Sequence, residues 1–237
     1  MAGHNKWSKI KRDKGANDAK RGAVFTKIGN QIAIAARGGT DPAMNPALAV
    51  AIEKARAANM PKDNIQRSID RVADKAAAAL EELTYEAYGP GGVGIIIETA
   101  TDNRNRTLPE VKTAVVKNGG RIADAGSVMF QFTRKGVIQV KETGEDTLLT
   151  ILDAGAEDAV EDGDETIVYT DQKELMNVRS KLIEAGLTVE DAELQYVPNN
   201  PVAITDQETA DKVMRVLDVL DDLDDVVNVH TNADILV

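Results

Sequence analysis

The 237-residue sequence has no cysteine, only two histidines, and aromatic residues that make up just 3% of the chain. Without cysteine the chain cannot form disulfides, thiolate metal sites or iron–sulfur clusters, and it has no thiol nucleophile. His4 and His230 alone cannot build a multi-histidine zinc site, and an imidazole-based catalytic triad is remote. The core must therefore be built from Ala, Val, Ile and Leu.

Long apolar runs are also missing. None approaches the roughly 18 residues that a membrane span requires, and residues 1–30 lack the apolar core of a signal peptide. The hydrophobic content of 43% is nevertheless sufficient for packed cores. We therefore expect a folded, soluble protein of the cytoplasm that has no membrane partner.

The formal net charge of −11 is distributed very unevenly along the chain. Residues 1–75 carry 15 basic and 7 acidic side chains, a net charge of +8, and residues 76–140 carry 7 of each. Residues 141–237 carry 6 basic and 25 acidic side chains, a net charge of −19. This asymmetry indicates nucleic acid or another polyanion as the partner of the basic end.

Residues 1–21 are the most basic stretch, and Trp7, the only tryptophan, lies among their cations. The stretch is too polar to bury its backbone, so by itself it predicts an extended or mobile arm. It is either a solvated terminus or a nucleic-acid arm, in which cations neutralise phosphates and Trp7 stacks on a base. We favour the second interpretation, because cations interleaved with an aromatic suit such a surface. The candidate contact cations are Lys6, Lys9, Lys11, Arg12, Lys14, Lys20, Arg21 and, on the first predicted helix, Lys27.

Apolar residues then recur at helical spacing in three segments. The segments contain Phe25, Ile28, Ile32 and Ala35; Leu48, Ala51, Ile52 and Ala55; and Ile65, Ile69 and Val72. Asn45 and Pro46 predict the cap and first turn of the second helix. The pattern predicts a three-helix bundle with basic exposed faces. A helix-turn-helix DNA reader and a bundle that serves only as a scaffold both remain open.

Beyond residue 82 the pattern indicates strands as well as helices. The predicted elements are strands at 83–88 and 93–101 joined by a glycine-rich hairpin, a helix at 104–118, and a strand at 127–133. The predicted helix should face the core with Leu108, Val111, Val115 and Val116.

From Gly136 the predicted order is β-α-β-β-α-β, the ferredoxin-like arrangement. A later helix at 206–222 and a strand at 226–230 supply the helix and strand that the α+β unit before Gly136 lacks. The ferredoxin-like unit is therefore predicted to be inserted into that earlier unit. The predicted fold is α+β in three domains: an N-terminal three-helix bundle and two ferredoxin-like α/β sandwich domains, one of them discontinuous. The predicted bounds are 1–78 for the basic helical domain with its arm, 79–134 plus 202–237 for the discontinuous domain, and 135–201 for the inserted domain.

Two further motifs are candidates for chemical sites. Gly89–Gly94 formally matches the dinucleotide fingerprint, but a β-branched strand follows where the fingerprint requires a helix, so a hairpin explains the glycines better. Arg104 and Arg106 at the entry of a predicted helix suggest an anion or phosphate site; the alternative is a capped helix whose arginines pair with neighbouring acids.

The acidic run Asp221, Asp222, Asp224 and Asp225 fits a solvated acidic face better than a cation site, because it lacks a calcium-loop glycine. No constellation of nucleophile, base and orienting group can be assembled from the sequence. We therefore expect neither an enzyme nor a protein with a cofactor or metal.

Several segments resemble the YebC/PmpR family, which includes mitochondrial translational activators of cytochrome c oxidase. The resemblance is carried by MAGHNKWSKIKRDKGANDAKRGAVFTK, GGTDPAMNPAL, KARAANMPKDNIQRSI, YEAYGPGGVGIIIETATDNRNRT, the GSV at 126–128 and the closing VVNVHTNADI, and it spans nearly the whole chain. It implies a three-domain cytoplasmic protein without a catalytic or metal site. The family residues that it carries over as candidate DNA or RNA contacts are His4, Lys6, Trp7, Lys9, Lys11, Lys20 and Arg21.

Two functions follow as hypotheses. The resemblance implies a regulator of gene expression, a probable DNA-binding transcriptional regulator. The alternative is a ribosome-associated translation factor that binds ribosomal RNA or tRNA and relieves stalls at proline-rich sequences; scattered cations and the lack of a distinct recognition helix favour it physically. An enzyme acting on phosphate groups at Arg104 and Arg106 is disfavoured, because a base and metal ligands are missing. The sequence leaves the oligomeric state open.

Overall fold

The computed structural model describes residues 21–72 and 80–237. The described part of the chain is a mixed α+β fold of seven α-helices and ten strands. It divides into two compact units: the described residues up to Phe132 together with Pro198–Val237 form the first, and Thr133–Val197 form the second. The helices are α1 (Arg21–Ala35), α2 (Pro46–Ala57), α3 (Lys62–Asp70), α4 (Arg104–Lys117), α5 (Glu145–Asp153), α6 (Leu175–Glu184) and α7 (Gln207–Asp221). The strands are β1 (Glu81–Tyr88), β2 (Gly94–Thr101), β3 (Arg121–Ala123), β4 (Phe132–Val140), β5 (Asp158–Asp162), β6 (Glu165–Thr170), β7 (Val189–Pro198), β8 (Val202–Ile204), β9 (Val226–Thr231) and β10 (Ala233–Ile235).

Helices α1 to α3 are amphipathic, and their apolar faces share one core, as the spacing predicts. Ile32 and Leu48 are fully buried in it. Asn45 caps α2, because its side-chain oxygen accepts a hydrogen bond from the Leu48 N–H at 3.2 Å, and Pro46 follows in the first turn, where a missing N–H is harmless. The prediction was wrong for Val72, which is 41% exposed because α3 ends at Asp70.

The sheet of the first unit has the strand order β3-β1-β2-β9, with every neighbouring pair antiparallel. The predicted hairpin joins β1 to β2, and its turn needs glycine at Gly91 and Gly92, whose φ angles are +74° and +78°. Strand β9 pairs with β2, so the chain returns to this sheet after the second unit. Strands β8 and β10, which the sequence pattern did not predict, form a small parallel sheet.

The core of the first unit is formed by the sheet with α4 and α7, and it includes Ile95, Val115 and Leu217. On α4 the predicted inward face was partly wrong. Leu108 and Val116 are 44% and 53% exposed. The buried stripe of α4 consists of Thr107, Val111, Ala114 and Val115. This stripe follows the helical period, and Leu108 and Val116 lie outside it.

The strand predicted at Ser127–Thr133 was also wrong. Met129–Gln131 forms a short 3₁₀ helix, and β4 begins only at Phe132. The side chain of Glu86, a distant residue on β1, accepts hydrogen bonds from backbone N–H groups of this segment, so those groups do not need a neighbouring strand.

The second unit contains the predicted order β4-α5-β5-β6-α6-β7. Its sheet order is β5-β6-β4-β7, in which β6 pairs antiparallel with both β4 and β5. Helices α5 and α6 bury Ile151, Val178 and Leu182 against one face of the sheet. Helix α6 begins only at Leu175, because Asp171 before it forms a turn in which its side chain accepts a hydrogen bond from the Lys173 N–H.

Candidate nucleic-acid interface

Most of the predicted contact residues fall on the N-terminal arm, outside the described residues. These are His4, Lys6, Trp7, Lys9, Lys11, Arg12, Lys14 and Lys20. Arg21 is the first residue of α1. Their role as nucleic-acid contacts stays a prediction.

Lys27, the predicted contact on α1, makes a contact within the protein. Its side chain is only 13% exposed. The ammonium group donates to the backbone carbonyl of Asp221 and lies 3.4 Å from the Asp221 carboxylate. Since that carbonyl belongs to the last turn of α7, where helix carbonyls lack intrahelical partners, Lys27 both completes the end of α7 and ties α1 to it.

Two other cations of the helical segment also join it to the sheet. Arg37 donates to the carbonyl of Leu80 and to the carboxylate of Glu82 at 3.0 Å. Arg71 donates to the side-chain oxygen of Asn30 at 3.3 Å and pairs with a carboxylate beside the start of α4, that of Asp102, at 3.7 Å. Part of the basic charge of residues 21–72 therefore stabilises the first unit.

Other cations of α2 and α3 lie on the surface. Arg56 and Lys62 are exposed, and so is Arg67, which bonds locally to the carbonyl of Asp63 and the side chain of Asn64. That these exposed cations meet a polyanion stays a prediction.

The start of α4 carries a polar group centred on a buried carboxylate, here named the Asp225 cluster, which consists of Thr101, Asp102, Arg106, Thr107 and Asp225. Asp225 is 8% exposed. Its carboxylate accepts hydrogen bonds from the Thr101 hydroxyl at 2.9 Å, from the Thr107 hydroxyl at 2.7 Å, and from one guanidinium nitrogen of Arg106 at 2.8 and 2.9 Å. Arg106 also bonds Asp102 at 3.2 Å. The cluster thus fastens the entry of α4 to the residue that precedes β9.

The cluster holds Asp225 in its ionised form. Burial alone would raise the pKa of this carboxyl group, but the hydrogen bonds from Thr107, Arg106 and Thr101 outweigh burial and place the pKa below its ordinary value. The acidic run is therefore not uniformly a solvated face, as the sequence suggested: Asp225 is buried, and Asp221 receives Lys27.

The predicted anion site at Arg104 and Arg106 has its two arginines in different settings. Asn103 caps α4, since its side chain accepts from the Arg106 N–H. Both side chains are exposed, but the Arg106 guanidinium is paired with two carboxylates, those of Asp102 and Asp225. Arg106 therefore acts within the Asp225 cluster, and the anion site at Arg104 stays a prediction.

An open cleft of about 540 Å³ lies beside this cluster. It is lined by Thr26, Asn30, Arg71, Leu80, Asp102, Arg106, Glu110, Asp222, Leu223, Asp224 and Asp225. Five carboxylates face two guanidinium groups in this lining, so the cleft is acidic and disfavours an anionic ligand.

A second buried carboxylate, on β1, was not singled out by the sequence. Glu86 is 5% exposed, and it accepts hydrogen bonds from the N–H groups of Gly126 at 2.5 Å, Val128 at 2.6 Å and Met129 at 2.8 Å. Burial would raise the pKa of Glu86, but these backbone bonds lower it below its ordinary value. A single glutamate within a strand has no sequence pattern that indicates burial or hydrogen-bond partners, so only the fold could identify its partners.

The described residues do not bring together three or more side chains that could hold a metal ion. His230, one of the two histidines, is 3% exposed, and its Nε2 lies 3.0 Å from a carboxylate oxygen of Glu98. Within the same described ranges, no helix is both long enough and apolar enough to cross a membrane.

The comparisons with known proteins agree with this architecture. Residues 5–75 match the model of the TACO1/YebC protein N-terminal domain, and residues 80–233 match the model of the TACO1/YebC second and third domain. The solved structure of a conserved hypothetical protein from Aquifex aeolicus is similar with a TM-score of 0.86 and 41% identity over 92% of each chain. The chain is thus a multi-domain α+β protein with a basic N-terminal part.

The chain belongs to the TACO1/YebC family. A probable transcriptional regulatory protein from Rubrobacter xylanophilus is 49% identical over 99% of this chain and 96% of the relative. Proteins of the same name from Desulfotalea psychrophila and Moorella thermoacetica are 46% and 48% identical with equal coverage.

Proposed function

We propose that this protein is a nucleic-acid-binding regulator of gene expression that acts as a DNA-binding transcriptional regulator. The observation that carries the proposal is the match, over nearly the whole chain, to relatives that bear the name probable transcriptional regulatory protein. The net charge of +8 over residues 1–75 supports it, since phosphate neutralisation supplies most of the affinity for nucleic acid.

The contact surface in this proposal combines the basic arm with the exposed cations that follow it. The arm supplies His4 and the cations Lys6, Lys9, Lys11, Arg12, Lys14, Lys20 and Arg21 for phosphates, and Trp7 for stacking. Arg56 and Lys62 extend the surface on α2 and α3. Lys27 would have to leave Asp221 to join it, and Arg104 would bind a phosphate only if the nucleic acid reached the start of α4.

The same proposal includes a three-domain organisation with domains at 1–78, 79–134 plus 202–237, and 135–201. The family models divide the chain between residues 75 and 80, which supports the first boundary. The second unit, Thr133–Val197, and the pairing of β9 with β2 support an inserted domain within a discontinuous one. The protein would act in the cytoplasm by binding alone, without catalysis or a cofactor.

Salt-dependent binding tests the proposal directly. Lys6, Lys9 and Lys11 changed together to Ala should weaken binding to a promoter fragment and flatten the plot of log affinity against log salt, by about one unit of slope for each phosphate that is no longer neutralised. The matched control changes Lys117, Lys141 and Lys173 to Ala, which removes equal charge from surface positions outside the basic third. Equal slopes for the two triple variants would remove the arm from the proposal.

A second measurement distinguishes the regulator from the translation factor. The protein is sedimented with ribosomes at several salt concentrations, alongside binding to promoter fragments and unrelated duplexes. Duplex affinity that depends on sequence and persists at high salt supports the transcriptional regulator. Salt-resistant co-sedimentation with ribosomes, with no preference among duplexes, would replace it with the translation factor.

A further inference from the structure

We propose that Phe130 is a stacking platform for an unpaired nucleobase, which extends the proposed function from phosphate contacts to contacts with single-stranded nucleic acid. Phe130 lies in the 3₁₀ helix Met129–Gln131 and is 72% exposed. A single exposed apolar residue is ordinary on a protein surface. Phe130 differs from such a residue because the fold fixes the backbone on both sides of it.

The backbone immediately before Phe130 is fixed from inside the protein. The buried Glu86 carboxylate accepts three N–H groups of the segment, from Gly126, Val128 and Met129. Burying a carboxylate is costly unless its oxygens are bonded, and here each of its hydrogen bonds positions this irregular segment. Phe130 is thus presented by a backbone that cannot easily turn its ring inward.

Groups from three other parts of the first unit hold the same segment. The Tyr88 hydroxyl donates to the Ser127 carbonyl at 2.7 Å, and the Asn232 amide donates to the Gln131 side chain at 2.8 Å. The backbone N–H of Asn199 donates to the Gln131 carbonyl at 2.8 Å, and its side-chain amide donates to the Phe130 carbonyl at 3.4 Å. The residues on both sides of Phe130 are therefore bonded, while its ring faces solvent. A preorganised aromatic ring loses little conformational entropy when it binds, which favours a stacking partner.

The surroundings of Phe130 fit a nucleotide. The exposed Arg121 guanidinium lies 4.4 Å from the centre of the Tyr88 ring, and the Tyr88 hydroxyl holds Ser127, so a cation able to bind a phosphate is linked to the segment through one residue. Asn200, next to the bonded Asn199, is an exposed amide that can bond a base edge. Asp124 is the exposed acid of the segment and limits how closely a phosphate can approach on its side. An exposed aromatic ring on a fixed backbone, together with a cation on Tyr88 and an amide at position 200 of the same unit, supplies the kinds of group that bind single-stranded nucleic acid.

Fluorescence provides a site-specific test, because the natural sequence has only one tryptophan. In the full chain, Trp7→Phe combined with Phe130→Trp places the only indole on the proposed platform. Addition of a 12-nucleotide oligo(dT) strand should quench its emission. Trp7→Phe combined with Leu149→Trp is the matched control, because Leu149 is also exposed, at 57%, but lies on α5 of the second unit; its emission should not change.

Affinity provides the second readout. Phe130→Ala should bind the oligo(dT) strand about tenfold more weakly than the wild-type protein, with an unchanged salt slope, because base stacking is lost and no charge is removed. Leu149→Ala should bind as wild type. Since Phe130 is exposed, its replacement should leave thermal unfolding unchanged. Glu86→Gln, which keeps the phenyl ring but weakens its support, should cause a smaller loss of affinity.

The outcomes separate this inference from the proposed function on which it rests. Wild-type protein that binds the strand while Phe130→Ala binds it equally well, with no quenching at position 130, overturns the stacking platform and leaves the regulator proposal intact. Wild-type protein that binds neither single strands nor duplexes overturns both. Quenching at position 130 together with the weaker binding of Phe130→Ala supports the platform.

Discussion

The two four-stranded sheets share one spatial plan but differ in the order in which the chain builds them. In the first unit the order is β3-β1-β2-β9, and in the second it is β5-β6-β4-β7. In both sheets one inner strand is connected through a helix to the edge strand farther from it: β2 through α4 to β3, and β4 through α5 to β5. The other edge strand, β9 or β7, comes directly after a helix. The units differ in the remaining inner strand: β1 precedes β2 through a hairpin, whereas β6 comes after β5. The packing of helices on a sheet is therefore set by the apolar faces that must be buried, and more than one order of strands along the chain produces the same packing.

The difference in chain order has a counterpart in the buried polar groups. The first unit is assembled from two separate stretches of chain, and two buried carboxylates stabilise it. Asp225 joins the two stretches, because it connects the start of α4 to the entry of β9. Glu86 holds the irregular segment before β4. In the second unit, the Glu142 carboxylate makes similar bonds to Thr188, but at positions that are more open to solvent. We therefore expect the buried carboxylates of the first unit to contribute more to stability than the half-buried Glu142 of the second.

Removal of Asp225 should have the largest effect. Asp225→Ala leaves the hydroxyls of Thr101 and Thr107 without their carboxylate and Arg106 with one partner fewer, so we expect a loss of about 3 kcal/mol in the free energy of unfolding, measured with urea. Hydrogen exchange should quicken in the first unit and not in the second. Asp224→Ala is the control, because Asp224 is an exposed neighbour. Similar losses in the two variants would show that the Asp225 cluster is not an anchor.

Replacement of Glu86 should have the next largest effect. Glu86→Gln retains one acceptor oxygen but turns an amide group toward backbone N–H donors, and we expect a loss of about 2 kcal/mol in urea unfolding. The matched change in the second unit, Glu142→Gln, should cost clearly less, because solvent can replace its bonds to Thr188. If the second-unit variant were the less stable of the two, the contrast between the units would be wrong.

Acid should produce the smallest of the three effects. The pKa values of Asp225 and Glu86 are lowered in the folded protein, below ordinary unfolded values of about 3.9 and 4.3. Their stabilisation is therefore complete above about pH 5, and it is lost as the pH falls through the folded values. The double variant Asp225→Asn/Glu86→Gln lacks both groups, so the difference in unfolding free energy between wild type and variant should shrink as the pH falls from 7 to 3. A difference that stays constant would contradict the lowered pKa values.

Regular elements were predicted well because their signals are local. The period of Ile28 and Ile32 locates α1, the glycines after Tyr88 locate the hairpin, and the apolar face that includes Val213 locates α7. The segment Ser127–Gln131 was predicted wrongly for the opposite reason. Its apolar residues are typical of a strand, but the buried Glu86, some forty positions earlier, takes up its N–H groups.

The sequence by itself determined the composition of the core, the basic and acidic ends of the chain, the helices and most of the strands, because each depends on residue type or on spacing over a few residues. Only the tertiary structure decided which charges act within the fold. Lys27 and Arg106 have the same local appearance as exposed cations, yet one completes the end of α7 and the other bonds Asp225. A charged side chain shows its role only when its partner is known, and here the partners lie more than one hundred residues away along the chain.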